Sequence, residues 1–251
     1  VRSSPPYRRN LALMDRRISL AVALGLVLVA CASSGATTAE PTTTTTTTTS
    51  TSTTTTTSTT VPLPPDRVVR EQDWIAFGVA VDVTMHYPSR RVERVGFHQS
   101  NDEGARHIEP LDTGIPATTL DSRGRLSDPN SSADVVVDPA SDIRSPVSGT
   151  VISTGQYNLY CDLYDDFINI EPDDHPGWKV RVIHITGIDV HKGERVEAGV
   201  TVIAPGARIL PFVSDVDNLR TQDPAWPHVH MEVVDPSIPN VPNGGSGYEN
   251  C

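Results

Sequence analysis

The chain has 251 residues, with 20 Lys and Arg against 31 Asp and Glu for a formal net charge of −11, and only 5% of its residues are aromatic. Residues 1–30 carry five Arg against Asp15, so the remainder bears a net −15, a surface that repels a polyanion and argues against a nucleic-acid partner. No coiled-coil repeat or long helical period runs through the chain, and the length beyond its unusual first quarter suits one core of moderate size.

In chain order, the first element is an address. "MDRRISLAVALGLVLVAC", Met14 to Cys31, places a short basic start ahead of a 13-residue largely apolar stretch, Ile18–Ala30. That stretch is too short to span a membrane as a helix and falls in the range of a secretory signal core. Its end, Leu28-Val29-Ala30-Cys31, resembles the bacterial lipobox, which implies diacylation of Cys31 and cleavage just before it. Residues 1–30 are therefore expected to be a lipoprotein signal peptide. Met14 opens it cleanly, which leaves residues 1–13 as an over-called start or an extended leader.

Residues 31–65 are expected to be the lipidated cysteine and a tether. From Thr37 to Thr60 nearly every residue is Thr or Ser, and "VPLPPD" follows. Such a composition buries too little apolar surface to offset the entropy of ordering, and a flexible coil over residues 32–65 reaches roughly 30–35 Å. An extracytoplasmic domain hung from a membrane follows, in surroundings that permit disulfides. With Cys31 assigned to lipid, Cys161 and Cys251 form the remaining even pair and are expected to be joined, closing a loop that stabilises by roughly 4–5 kcal/mol.

From residue 66 onward, strand-like runs recur between Pro, Gly and Asp turn signals: "IAFGVAVDVTMHY", "RVERVGFHQ", "ADVVVD", "GTVISTG", "DFINIE", "KVRVIHI", "ARILPFVSDV" and "HVHMEVVD". β-Branched residues dominate, and only "VSDVDNLRTQDP" has room for a short helix. This pattern predicts an all-β sandwich or barrel with antiparallel sheets. "SPVSGTVISTG" and "GIDVHKGERVEAGVTVIAP" each read as strand, tight turn, strand, with Gly149, Gly193 and Gly199 at the turns. In the last run, "HVHME", His228 and His230 stand two residues apart; side chains alternate along a strand, so both imidazoles face the same way.

Those motifs resemble two groups that share a barrel-sandwich hybrid fold: lipoyl-like carrier and adaptor modules, and the lysostaphin-type or LytM-domain zinc endopeptidases that cut peptidoglycan cross-links. A carrier needs an exposed Lys in a Met-Lys-Met type of hairpin, which is lacking, whereas "HVHME" is similar to the "HLHFE" that ends the peptidase sheet. The resemblance covers most of residues 130–235. It implies Zn2+ bound by His230, with His228 and His184 of "RVIHI" orienting the attacking water and stabilising the oxyanion. Three protein ligands and a water make an open tetrahedral zinc whose water ionises near neutrality.

The family's other two ligands come from H-x-x-x-D ahead of the first turn. The aspartate falls on Asp134 of "SSADVVVDP", but Asn130 stands where the histidine belongs, and an amide is a poor zinc ligand beside imidazole. Three arrangements remain open: His98 reaches the metal from another strand beside Asp134 and His230; His98 and Asp102 both ligate, with residues 103–133 looped out; or the domain is degenerate. His86, His107, His175 and His191 sit in polar, turn-like contexts and read as solvated, and "EPDDHPGW" reads as an acidic hairpin tip. The expectation taken forward is a membrane-tethered peptidoglycan endopeptidase with His98, Asp134 and His230 on zinc and His184 and His228 at the reacting carbonyl. The alternatives are a LytM-like module that binds wall peptide or activates a partner hydrolase and, less favoured, a lipoyl-like adaptor.

Overall fold

A computed structural model describes residues 67–160 and 162–240. The signal and tether assignments, the lipidation of Cys31 and the pairing of Cys161 with Cys251 lie outside those residues.

The described chain is all-β apart from one 3-10 turn, Asp215–Leu219. Its strands are β1 (Arg70–Glu71), β2 (Ala76–Ala80), β3 (Val83–His86), β4 (Arg91–His98), β5 (Glu109–Pro110), β6 (Ala117–Thr119), β7 (Ser132–Val137) and β8 (Ile143–Arg144). There follow β9 (Gly149–Leu159), β10 (Leu163–Pro172), β11 (Lys179–Thr186), β12 (Arg195–Val196), β13 (Val202–Ala204), β14 (Gly206–Ala207) and β15 (His228–Val234). One large sheet runs β1-β4-β7-β15-β11-β10-β9-β12, with β14 on the end of β11 and β6 beside β4. All its pairings are antiparallel except β4 with β6. Two smaller pieces, β3-β2-β5 and β13-β8, complete the described strands.

Period two explains how the sheet is used. On β7, Ala133, Val135 and Val137 enter the core, leaving Ser132, Asp134 and Val136 on the opposite face. On β15, Val229, Met231 and Val233 enter the core, leaving His228, His230 and Glu232 on that same opposite face. On β4, Val95 and Phe97 are core residues, so Gly96 and His98 turn outward with them. The apolar half of each strand thus buries itself against the core, at about 25 cal/mol per Å² removed from water, and the burial fixes which polar residues share the other face.

Two expectations need correction. "ARILPFVSDV" is not a strand beyond β14: Pro211 lacks a donor, Ile209 and Val213 are exposed, and the segment runs as an irregular wall into the 3-10 turn. Gly193 and Gly199 do adopt positive φ, 90° and 67°, but Gly149 does not. Gly149 is required by space instead, because a Cβ there would lie 2.1 Å from the Glu171 carbonyl oxygen across the β9–β10 pair.

Gly149→Ala is expected to push β9 and β10 apart at this point and to destabilise by about 1–3 kcal/mol, lowering Tm by several degrees. Calorimetry showing an unchanged Tm would contradict the close approach.

Candidate functional site

The outward faces of β4, β7, β15 and β11 form the floor of a cleft of ≈ 570 Å³ that contains His98, Asp134, His184, His228 and His230. Asp134 sits opposite Gly96 on one side and opposite His230 on the other. With no side chain at Gly96, Val216 of the 3-10 turn packs there: a Cβ on Gly96 would lie 2.9 Å from its Cγ2. His98, two residues further along β4, reaches Asp134 diagonally.

The three groups converge. His230 Nδ1 lies 2.8 Å and His98 Nε2 3.1 Å from Asp134 Oδ1, and one ligand atom from each residue falls within 4.8 Å of the others. A tetrahedral zinc with bonds of about 2.0–2.1 Å separates its ligand atoms by roughly 3.3 Å, so a small adjustment admits an ion. His98 is already set for that role. Its Nδ1–H donates to the Gln99 carbonyl at 2.9 Å, and the Ser132 hydroxyl lies 2.9 Å from the same nitrogen. The backbone carbonyl can only accept, so Nδ1 carries a proton, and an Nε2 without one would be the nitrogen offered to a metal.

The charges of the cluster follow from its burial. Burial raises the Asp134 carboxyl, but the attraction of His98 and His228 and the hydrogen bonds from His230 and His98 hold it well below the usual carboxylate range. Burial opposes charge on His230 as well, yet the carboxylates of Asp134 and Glu232 outweigh it and raise the imidazole to about 9. For His228 burial wins, and the imidazole drops to about 3. At neutral pH these shifts leave His228 neutral beside a protonated His230. Glu232 completes the floor: it lies 3.8 Å from His230 Nε2, accepts the Ser100 hydroxyl and pairs with Arg181 at 3.2 Å.

His184 reaches the same face by a different device. Strict alternation on β11 would send it into the core with Val180 and Val182. Instead the register slips, Phe167 pairing with Ile183 and Asp166 with Ile185, so that His184 is an extra residue at a bulge with φ of 62°. Its ring then stands edge-on to His228 with centroids 5.1 Å apart, and 5.8 Å from that of His230. A non-glycine residue in this region is held at a cost of ~1–2 kcal/mol. Asp165 fixes it, accepting the His184 backbone N–H at 3.1 Å and the ring Nδ1–H at 2.7 Å.

The remaining sequence candidates lie elsewhere. Asn130 does not join the cluster; its Oδ1 accepts the Thr119 hydroxyl at 2.8 Å. Asp102 borders the cleft but accepts the Gly104 amide at 3.0 Å and pairs with Lys179 at 3.6 Å. Residues 103–133 are not looped out, since they contribute β5 and β6, paired with β2 and β4. Of the other histidines, His107 and His191 are exposed and His86 and His175 half-buried, each with a local carbonyl or carboxylate partner. Sequence reasoning missed Asp165. Its available signal was a pair of carboxylates, Asp165-Asp166, inside a strand, where Asp is disfavoured unless something holds it.

His98→Ala is expected to weaken zinc binding by at least about 100-fold, more than the loss of an outer support costs, whereas Asn130→Ala leaves it within threefold. Competition against a chromophoric chelator measures both; equal losses, or none, would contradict the geometry.

No family model matches the chain, and no curated protein matches it. Among solved structures, a Pseudomonas aeruginosa protein described as a candidate M23 peptidase aligns with 17% identity over 67% of this chain and 87% of its own, with a TM-score of 0.29.

Proposed function

We propose that the protein is a zinc metalloendopeptidase of the cell envelope that cleaves peptide cross-links of peptidoglycan, tethered to the membrane through Cys31. The observation that carries this reading is the convergence of His98, Asp134 and His230 on one small volume, with His184 and His228 edge to face beside them in the same cleft. Two imidazoles and a carboxylate are a donor set suited to zinc in a catalytic site with a position left open. Such an ion, when bound, supplies a water that ionises near neutrality and a Lewis acid for a carbonyl oxygen.

The chain's own residues do the rest. His184 and His228 orient the attacking water; His184, with its Nδ1–H held by Asp165, takes up the proton on Nε2, and His228, kept neutral by burial, donates a hydrogen bond to the oxyanion. Both sit on strands packed into the sheet rather than on loops, so little reorganisation accompanies the step. The cleft around them suits a peptide that carries both charge and apolar stem: Tyr157, Tyr160 and Phe212 line part of it, while Arg123 and Arg181 line another. A wall peptide, which carries both amino and carboxylate groups beside apolar stems, matches a cleft where Arg181 and Arg123 stand paired with Glu232 and Asp215. The tether fits the substrate's location, since a reach of roughly 30–35 Å from a lipid anchor holds the domain next to the wall. In this setting Cys161 and Cys251 would be oxidised, and a partner wall hydrolase is the alternative target if the cleft only binds.

Zinc-loaded protein is expected to release new amino termini from cross-linked wall fragments, and His184→Ala and His228→Ala are each expected to lower kcat/KM by at least about 100-fold with metal content unchanged. Turnover that survives complete chelation would contradict the reading, and wall-peptide binding without hydrolysis would make the protein a binding module.

A further inference from the structure

We propose that Asp165 is the positioning residue of His184, holding the β11 bulge and the imidazole in one orientation so that Nε2 faces the cleft. Its catalytic consequence rests on the peptidase reading; its structural part does not.

Four hydrogen bonds converge on this carboxylate. Oδ2 accepts the His184 backbone N–H at 3.1 Å, the His184 Nδ1–H at 2.7 Å and the Tyr157 hydroxyl at 2.8 Å, while Oδ1 accepts Arg208 Nε–H at 3.0 Å. The Asp165 side chain is 0% exposed and does not line the cleft, so it acts through His184 rather than on a substrate. The arrangement also explains a conflict in β11. An imidazole in place of a core residue and a positive φ at a non-glycine position are both unfavourable, yet the chain adopts the bulge. One acceptor satisfying both the backbone and the ring of the bulged residue removes the conflict, since the ring can be held by Asp165 only if the bulge forms.

The charge balance is local. Arg208 follows β14, which pairs with the end of β11, and its own N–H donates to the His184 carbonyl at 2.8 Å. Its guanidinium thereby meets both Asp165 and, at 3.3 Å, Asp166, while Asp166 accepts the Gly187 amide at 2.9 Å and the Gln156 side chain at 2.8 Å. Asp165 thus has a fixed cation on one oxygen and the histidine on the other. An ionised carboxylate accepts only, so the proton of a neutral His184 belongs on Nδ1 and the lone pair on Nε2. That tautomer presents a proton acceptor to the cleft; the other would present an N–H.

The test uses the full chain with 15N-labelled histidine, the parent beside Asp165→Asn, Arg208→Gln and Asp166→Asn. Ring nitrogen shifts of His184 in the parent are expected to report Nδ1–H with a slowly exchanging proton, and Asp165→Asn is expected to mix or reverse the tautomers. In zinc-loaded protein, Asp165→Asn is expected to lower kcat by at least about 10-fold with KM within threefold and zinc content unchanged. Asp166→Asn loosens the shared Arg208 contact but leaves the four hydrogen bonds of Asp165 in place, so it serves as the control for local stability and keeps the parent tautomer. Should Asp165→Asn fail to fold, Arg208→Gln, on a part-exposed side chain, frees the same carboxylate to rotate and is expected to broaden the His184 signals and lower kcat. The proposal is overturned if the parent shows Nε2–H, or if whichever variant folds leaves the His184 ring and kcat as in Asp166→Asn. An inactive parent with the expected tautomer shifts would instead sink the peptidase reading and leave the Asp165 assignment standing.

Discussion

Asp134 carries an ionised carboxylate on a fully buried strand, between a residue with no side chain and a histidine, and the cleft is organised around that charge. An unpaired charge of this kind is prohibitively costly in a protein interior. It is tolerable here because His98 and His230 meet one of its oxygens at 3.1 and 2.8 Å while His228 stands 3.8 Å from the other. The same convergence makes the site a seat for a cation: a metal that displaced the proton of His230 would meet imidazole lone pairs and the Asp134 carboxylate in place of the hydrogen bond they now share. Removing the carboxylate would remove the reason for the histidines to converge.

The sheet supplies the rest through strand adjacency. β4, β7, β15 and β11 are consecutive neighbours, so Asp134 and His230, 96 positions apart in the chain, are direct cross-strand partners. Cross-strand neighbours have Cβ atoms about 4.5–5.5 Å apart, close enough for a carboxylate and an imidazole to touch without any loop being ordered to bring them together. The site is therefore carried on strands whose opposite face is the core. The wall of the cleft is built differently, from the irregular segment after β14 and the tip of the β9–β10 hairpin, where Tyr160 and Phe212 meet edge to face at 5.4 Å.

Much of this was legible in the sequence, for identifiable reasons. Alternation placed His228 and His230 on one face, and alternation is obeyed on β15 because every second residue there is an apolar core residue. The all-β class followed from the same pattern. Asn130 read as a poor ligand from its chemistry, but the choice of Asp134 over Asp102 as the carboxylate beside His98 needed the β4–β7 register, which no spacing rule supplies. His184 shows the opposite limit. Period two alone would have buried it with Val182, and only the resemblance to a known motif singled it out, because a bulge leaves no trace when its residue is not glycine. The segment 207–213 misled for a related reason: an apolar run can line a cleft as well as fill a core, and composition does not distinguish the two.

The most direct measurement is anomalous diffraction at the zinc edge from crystals grown with the metal. The expected result is a single strong peak in the cleft, about 2.0–2.2 Å from a nitrogen of His98, an oxygen of Asp134 and a nitrogen of His230, with His184 and His228 uncoordinated beside it. A peak bound to other residues, or an empty cleft in crystals saturated with zinc, would contradict the metal centre and with it the enzymatic reading of this fold.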